Sequence, residues 1–536
     1  MDSKIEGKDE QVLSYVINDD ADTLPMDNLD PTGVVVKPKW RGTAQDKKDM
    51  EVLGRHQVLR RNFRFLSMLG FGSTLICTWE ILLSYIGFVS TNGGTAMLFW
   101  GYLVVLLGVW CTYASLSEMA SMAPTAGGQY HWVSEFAPPR HQKFLSYMVG
   151  WICMTGWQAG LLSVGFLVGT IIQGLIVLND ATYTFERWHG TLLVWAVTSF
   201  CVIFNTYLAK RLPAIEGVVL TIHVMGLFAI IVPLWVLSPR ATSKDALLTF
   251  TNAGGWPTTG LSAMIGLLTP MGSLLGFDCC VHMAEEVEDS GRTLPRSIMW
   301  SVYLNGTMGF IMAVTMCYCL GDVTEVLKTE TGYPFIQVFY NATQSYAATN
   351  VMVTIIIITI TACCVSEVAT CSRQLWSFAR DKGVPFSDWL AFVSPTMHIP
   401  LRAIIVSLCV TCFVSLINIV STSALNAIVS LGVVALLSSY YITIACLIWR
   451  RLYGDALPVR RWSLGKHGLA VNIASLIFMT PILFFAFWPV ATPVEPSSMN
   501  WAVVMFFGVI IWSLVYYSIW GKHSYIGPVR VVKRDL

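Results

Sequence analysis

About twelve continuous apolar runs, each roughly 20 residues long, constrain this chain more than any other feature of its sequence, because a helix of that length crosses the ~30 Å hydrocarbon core of a bilayer. The runs are continuous rather than alternating, which excludes a transmembrane β-barrel. Only 12% of the 536 residues are charged, whereas soluble domains carry about 25%. The sequence therefore predicts an all-α polytopic membrane protein with about 12 transmembrane helices.

The predicted spans follow one another from residue 66 almost to the end of the chain. Numbered as spans 1 to 12, they cover residues 66–90, 96–122, 144–178, 189–209, 213–237, 258–284, 297–321, 350–379, 402–421, 424–448, 468–488 and 501–520. Arg55, Arg60, Arg61 and Arg64 precede span 1, and the even-numbered loops between spans hold most of the other Lys and Arg. Because basic loops stay in the cytosol, both termini are predicted to be cytosolic.

Residues 1 to about 55 are polar, and this composition is typical of a disordered cytosolic tail. No apolar stretch follows Met1, so the sequence indicates no cleavable signal peptide. Asn341-Ala342-Thr343 is an N-glycosylation sequon in a predicted outside loop, which makes Asn341 a candidate glycosylation site. Fourteen Cys lie mostly inside apolar runs without a metal-ligand cluster, so we expect neither a metal nor a cofactor.

Two glycine-containing stretches recur five spans apart. Span 1 contains Leu-Gly-Phe-Gly-Ser at 69–73, and span 6 contains Leu-Gly-Phe-Asp-Cys at 275–279. An odd offset between repeats places them in opposite orientations, and paired glycine-broken helices in inverted halves indicate a transporter's binding site. Asp278 lies at mid-depth in span 6, where an ionisable group normally faces a cavity or a partner. The pattern favours a transport site.

Four segments carry a resemblance to a known family. They are GFGST at 70–74 with TWE at 78–80, PTAGGQY at 124–130, GFD at 276–278 running to HMAEEVE at 282–288, and SR at 372–373 through ARDKGVP at 379–385. Together they resemble the amino acid–polyamine–organocation superfamily, and within it the fungal amino acid/choline permeases, which include γ-aminobutyrate and choline transporters.

The resemblance implies a five-plus-five inverted-repeat core like that of the leucine transporter, two accessory helices, alternating access and proton-coupled uptake. We therefore expect a cytosolic tail, a first five-helix repeat, a second inverted repeat, two accessory helices and a second cytosolic tail, at residues 1–64, 65–237, 258–448, 468–520 and 521–536.

The candidate substrate-binding residues lie on the two glycine-containing spans. They are Gly70, Phe71, Gly72, Ser73 and Thr74 on span 1, with Gly276, Phe277 and Asp278 on span 6. Free N–H groups at a half-helix N-terminus favour a substrate carboxylate, whereas carbonyls, a carboxylate or aromatic faces favour an ammonium group. The alternative role of each glycine is close helix packing.

Ionisable groups inside the spans are candidates for proton coupling. They are Asp278, Glu80 on span 1, His223 on span 5 and Glu367 on span 8, beside Ser366. In some members of the family, a basic residue on span 5 stands in for a sodium ion and carries the proton, but here that residue is a histidine. His titrates near neutral pH. The alternative for each group is a hydrogen-bonded structural role.

Charged residues at the cytosolic ends of the spans are candidate gate residues. They are Glu118, Glu285, Glu286, Arg373 and Arg380, and the alternative is a solvated ion cluster.

Together with the family resemblance, the sequence predicts a secondary-active symporter, not an enzyme, that imports an amino acid, γ-aminobutyrate or choline with protons across the plasma or the vacuolar membrane. The alternatives are a polyamine or vitamin-precursor permease and a non-transporting nutrient receptor. Membrane lipid is an expected partner, and nucleic acid is not.

Overall fold

The computed structural model describes residues 36–180, 182–496 and 499–528 of the chain. It confirms the predicted all-helical membrane fold, because eleven helices among these residues are long and apolar enough to cross a membrane. The helices found in the twelve predicted spans are Phe65–Ile76, Thr78–Ser84 and Ile86–Thr91 (span 1), Gly94–Met122 (span 2), Gln142–Asn179 (span 3), Arg187–Thr206 (span 4), Leu212–Leu237 (span 5), Thr259–Gly266, Leu268–Ser273 and Cys279–His282 (span 6), Ser290–Cys319 (span 7), Tyr346–Arg380 (span 8), Leu401–Ser415 and Ile417–Val420 (span 9), Thr422–Tyr453 (span 10), Gly468–Phe485 (span 11) and Ala502–Tyr516 (span 12).

Span 6 accounts for the difference between twelve predicted and eleven observed helices of spanning length. It consists of short helices separated by non-helical backbone, and none of the pieces is long enough to cross a bilayer alone. Span 3, the longest predicted run, is a single helix of 38 residues.

The spans differ in how deeply they are buried within the bundle. In the most apolar stretch of span 1, 83% of the residues are buried, against 11% in span 12. Span 1 packs against spans 5, 7 and 8, and span 3 packs against spans 8 and 10. The broken spans therefore lie among other helices, where protein groups can satisfy the backbone that a break exposes.

Short helices outside the spans are Ala44–Val52, Gln129–Phe136, Ser243–Leu247, Val323–Leu327, Pro334–Thr343, Ser387–Leu390 and Lys522–Ser524. Asn341 lies in one of them, half-buried. Its side-chain oxygen accepts a hydrogen bond from Gln337 (2.8 Å), and its amide donates to Glu325 (3.4 Å). Glycosylation of Asn341 stays a prediction.

The segment before span 1 is ordered from residue 36, which corrects the expectation of a disordered tail to about residue 55; residues 1–35 lie outside the described residues. Asp46 and Arg61 form an ion pair (3.3 Å) and are 0% and 1% exposed. Arg61 also donates to the backbone carbonyl of Ala284 (3.0 Å), next to span 6. We call residues 36–63 the N-terminal strap.

The Asp46 carboxylate also caps span 7. It accepts hydrogen bonds from the backbone N–H groups of Asp289 (2.8 Å) and Ser290 (3.0 Å), which begin that helix and have no partner within it. Burial raises the pKa of Asp46, but the charge of Arg61 and these N–H donors outweigh it and hold the pKa below its ordinary value. The strap is thus joined to the N-terminus of span 7 by a charged cap.

We expect Asp46→Asn to lower the free energy of unfolding by about 3 kcal/mol, because it leaves the buried Arg61 charge without its partner. Thermal unfolding of the detergent-purified protein measures this, with the exposed Lys48→Gln as the matched control. Since the folded pKa of Asp46 is depressed, its stabilisation is complete above about pH 4 and is lost as the pH falls through the folded pKa. Equal unfolding temperatures for the two variants would contradict this role.

Candidate substrate and proton site

The break in span 1 lies at Cys77, not at the predicted Gly70–Gly72. Helix Phe65–Ile76 passes through both glycines without interruption, and the chain then turns at Cys77, whose φ of +42° is left-handed. The second half of the span starts at Thr78, and no side chain caps the start of that helix. The break therefore comes at least five residues after the predicted one.

Gly70 and Gly72 instead allow helices to pack closely. A Cβ on Gly70 would lie 2.8 Å from the Glu216 carbonyl oxygen of span 5. A Cβ on Gly72 would lie 2.8 Å from both the Cys280 sulfur and the Ser301 hydroxyl. Neither position has room for a side chain, which is the usual reason for a small residue at a membrane helix crossing.

Two thiols donate hydrogen bonds to carbonyl groups next to the break. Cys77 donates to the carbonyl of Thr74 (2.8 Å) and to that of Thr359 in span 8 (3.3 Å). Cys363, also in span 8, donates to the carbonyl of Leu75 (2.7 Å). Side chains thus satisfy two carbonyls of span 1 beside the break, those of Thr74 and Leu75.

The break in span 6 falls at the predicted place. Residues 274–278 are non-helical, and Gly276 has a φ of +107°, which glycine adopts without strain. The Gly276 N–H donates to the Tyr113 hydroxyl (2.7 Å). A Cβ at Gly276 would lie 3.3 Å from Ile76, the last helical residue before the break in span 1. The two breaks therefore face each other.

Asp278 follows directly after the break and is fully buried. Its carboxylate accepts hydrogen bonds from the Gln129 amide (2.5 Å) and from the Tyr440 hydroxyl of span 10. His282 Nε2 lies 3.6 Å away. Asp278 therefore ties span 6 to span 10 and to helix Gln129–Phe136.

Other candidates of the two glycine-containing stretches pack into the core. Phe71 meets Phe63 edge-on, with ring centres 5.8 Å apart, and Phe277 meets Tyr113 edge-on at 5.1 Å. The Ser73 hydroxyl is buried without a hydrogen-bond partner among the described residues. A substrate contact by any of these three side chains stays a prediction.

Glu80 and His223 form a buried pair beside the break in span 1. The Glu80 carboxylate lies 2.7 Å from His223 Nδ1, and both side chains are 0% exposed. On the other side of the ring, Nε2 lies 3.2 Å from the Asn305 side-chain oxygen. Trp79 stacks on the imidazole, with ring centres 5.9 Å apart. Two of the predicted proton-coupling candidates are therefore hydrogen-bonded to each other.

The Cys77 sulfur joins this pair to form a group with metal-ligand chemistry, because one ligand atom from each of the three residues lies within 4.8 Å of the others. The same atoms are engaged in hydrogen bonds: the thiol bonds to backbone carbonyls, and the carboxylate bonds to the imidazole. A shared proton explains these contacts without a metal ion.

Glu216 of span 5 is a buried acid that the sequence reasoning did not single out. It accepts hydrogen bonds from the hydroxyls of Thr74 in span 1 (2.5 Å) and Ser366 in span 8 (2.8 Å). An acid inside an apolar span is the signal that could have found it. Glu367, next to Ser366, is buried but has no partner among the described residues.

Ion pairs close the end of the bundle on which the strap lies, which we call the arginine-rich end. Glu285 pairs with Arg380 (2.8 Å), and Glu286 pairs with Arg373 (2.8 Å). Arg55 of the strap pairs with Asp381 (2.5 Å). Glu118, at the same end, pairs with Arg451 in the last turn of span 10 and with Arg460 in the chain that follows. A gating role for these pairs stays a prediction.

The sequence profile of the amino acid permease family matches residues 63–511, which include both breaks and the buried acids of the spans. The chain belongs to this family. It is 30% identical to the choline transporter of Saccharomyces cerevisiae over 505 residues, which cover 94% of this chain and 86% of the yeast protein. It is 26% identical to amino-acid permease 2 of Neurospora crassa, over 92% of this chain and 91% of that protein.

A plant relative extends the same comparison. The chain is 25% identical to amino-acid permease BAT1 of Arabidopsis thaliana, over 90% of this chain and 95% of that protein. The predicted resemblance to amino acid and choline permeases is confirmed, and the names of the relatives indicate transporters rather than enzymes. This permease is a multi-pass membrane protein for a small-molecule substrate.

We expect Gly70→Ala to destabilise the permease by about 1–3 kcal/mol, because the added methyl overlaps the Glu216 carbonyl of span 5. Gly217→Ala is the matched control, since a Cβ there meets nothing within 4 Å. The measurement is the unfolding temperature, together with the half-saturation concentration for uptake. A changed half-saturation concentration at unchanged stability would instead assign Gly70 to substrate binding.

Proposed function

We propose that this permease imports a small ammonium-bearing solute together with protons, by alternating access at the facing breaks of spans 1 and 6. The observation that carries the proposal is the position of these breaks: Ile76 and Gly276 meet where both helices are open. Unwound backbone in two such helices supports a substrate site between them, because it offers carbonyl and N–H groups in place of water.

Gly276, Phe277 and Asp278 supply the open backbone of span 6, and Cys77 supplies that of span 1. The helix that starts at Thr78 has no side-chain cap, and its N-terminus favours a substrate carboxylate where one is present. Carbonyl oxygens at the break favour an ammonium group. This site accounts for both kinds of relative, since a choline transporter and amino acid permeases share the need to bind a charged nitrogen.

The Glu80–His223 pair is our candidate for the coupling proton. The Asn305 amide donates to the Ser301 carbonyl (3.1 Å), so its oxygen faces His223 Nε2, which must carry a hydrogen. A contact of 2.7 Å between Nδ1 and the Glu80 carboxylate then requires a second hydrogen between them. The pair therefore holds one proton more than an ionised glutamate beside a neutral histidine.

This proton lies one turn from the break in span 1. If the pair loses it, two acceptors face each other in a buried site, which is unfavourable and must be relieved by movement of span 1 or span 5. Loss and uptake of the proton are thereby linked to the position of the broken helix. Glu216 lies between spans 1, 5 and 8 and supports the same linkage, because its two hydroxyl partners belong to spans 1 and 8.

The ion pairs at the arginine-rich end are our candidate inner gate. They join spans 6 and 8 and the strap, so opening that end requires the separation of Glu285 from Arg380 and of Glu286 from Arg373. The basic loops support a cytosolic position for this end and for both termini. We place the permease in the plasma membrane, with the vacuolar membrane as the alternative.

Uptake into yeast cells lacking their own permeases tests the function, with choline, γ-aminobutyrate, putrescine and neutral amino acids compared at pH 5 and pH 7. We expect saturable uptake of at least one of them, increased at pH 5. Absence of uptake for every solute, with the protein at the cell surface, would contradict the permease proposal and favour a receptor that binds without transport.

We expect Glu80→Gln and His223→Asn each to remove the increase in uptake between pH 7 and pH 5, because the two residues can no longer hold the shared proton in either variant. A gradient of two pH units supplies about 2.7 kcal/mol per proton, enough for roughly 100-fold accumulation. We expect both variants to lose this accumulation but to keep exchange of solute for solute. The exposed Glu330→Gln is the control, and normal accumulation by Glu80→Gln would exclude the pair from coupling.

A further inference from the structure

Glu367 of span 8 differs from every other buried acid in the described part of the chain. It is 6% exposed, and no hydrogen-bond donor or cationic side chain pairs with its carboxylate within residues 36–180, 182–496 and 499–528. The other buried acids each have a partner, and they are Asp46, Glu80, Glu118, Glu216, Asp278, Glu285, Glu286 and Asp381.

The side of span 3 that faces Glu367 has no side chain. A Cβ on Gly160 would lie 3.4 Å and 3.5 Å from the two carboxylate oxygens. Span 10 approaches the same place, because a Cβ on Gly432 would lie 3.5 Å from the Gly160 amide nitrogen. Spans 3 and 10 thus pack closely here, and Gly160 leaves room for no more than a methyl group between its backbone and the Glu367 carboxylate.

This space is next to the substrate site. Trp157 lies one turn before Gly160 on the same side of span 3, and its indole ends 3.6 Å from a Cβ position on Gly276, inside the break of span 6. The Trp157 ring is 1% exposed. The unpartnered carboxylate of span 8 and the Trp157 indole of span 3 therefore both lie near the break.

The negative charge near Glu367 determines which kind of ligand binds beside it. A buried carboxylate without a partner is unfavourable, and the nearby carboxylate of Asp278 adds to the negative potential at Glu367. Asp278 is already engaged by Gln129 and Tyr440, so it is less available to a ligand. Either a proton or a positively charged ligand relieves this carboxylate, and among the described residues no cationic side chain pairs with it.

We propose that Glu367 is the counter-ion for the positively charged nitrogen of the substrate, with the Trp157 indole beside it. The site selects small organic ammonium ions, because a carboxylate and an aromatic ring together bind an ammonium group, including one that cannot donate hydrogen bonds. This inference rests on the proposed permease function. It assigns the substrate's charge to span 8 rather than to Asp278 on span 6.

Counterflow in proteoliposomes at equal pH on both sides tests this role without a proton gradient. The probes are radiolabelled choline, putrescine and γ-aminobutyrate, and the variants are Glu367→Gln, Glu367→Asp and the exposed control Glu330→Gln. We expect Glu367→Gln to raise the half-saturation concentration of the exchanged probe at least tenfold, Glu367→Asp to raise it less, and the control to leave it unchanged.

A proton-carrying role for Glu367 predicts the opposite result. Glu367→Gln would then exchange the probe with the half-saturation concentration of the unmodified permease and lose only accumulation driven by a pH gradient. That outcome overturns the inference.

A second measurement does not depend on transport. Binding of a probe to the detergent-purified permease raises its unfolding temperature, by an amount that depends on the ratio of the probe concentration to the dissociation constant. We expect Glu367→Gln to need at least tenfold more probe for the same rise, and an unchanged requirement overturns the inference. Gly160→Ala places a methyl in front of the carboxylate, and we expect it to weaken binding of choline more than that of putrescine, because the trimethylammonium group is wider.

The experiment separates this inference from the proposed function. If the unmodified permease exchanges a probe and Glu367→Gln exchanges it equally well, the inference fails and the permease function stands. If the unmodified permease neither binds nor exchanges any probe, although correctly folded, both fail.

Discussion

A helix that opens inside a bilayer must find protein partners for the backbone groups that it frees, and the centre of this permease is built to meet that requirement. Span 1 opens at Cys77 and span 6 opens at Gly276. The thiols of Cys77 and Cys363 donate hydrogen bonds to carbonyls beside the first break, and the Tyr113 hydroxyl accepts a hydrogen bond from the N–H of Gly276 in the second. Because Cys363 and Tyr113 belong to neighbouring spans, each break is attached to the surrounding bundle, and the two face each other.

Buried acids connect the broken helices to the rest of the bundle. Glu80 links span 1 to span 5, Glu216 links span 5 to spans 1 and 8, and Asp278 links span 6 to span 10. Each connection consists of hydrogen bonds whose strength depends on whether the carboxyl group is ionised. A change of protonation at one acid therefore changes how firmly a broken helix is attached to its neighbours, and this is the physical basis on which transport can be coupled to protons.

The sequence predicted the spans and the break in span 6, but it misplaced the break in span 1. Hydropathy marks a span directly, and Gly276 beside an intramembrane acid marks a break. Cys77 carries no such mark, because a left-handed conformation at a non-glycine residue is imposed by its surroundings. The partners of Asp278 were equally hidden, since Gln129 lies 149 residues away along the chain and no local pattern joins them. The strap was missed for the same reason, because the contacts that join it to the bundle, such as that of Arg61 with Ala284, are distant along the chain.

The strap also has a consequence for the order in which the protein is made. Asp46 and Arg61 leave the ribosome long before the backbone that they bind, since Ala284 follows Arg61 by 223 residues and Ser290 follows Asp46 by 244. At ordinary rates of synthesis this interval lasts roughly 10 to 50 seconds. During that time two opposite charges destined for a dry site remain in water, and they are buried only when spans 6 and 7 have been inserted in the correct orientation. The strap can dock only on a chain whose first half is already assembled. A docked strap therefore requires that spans 6 and 7 have been inserted correctly.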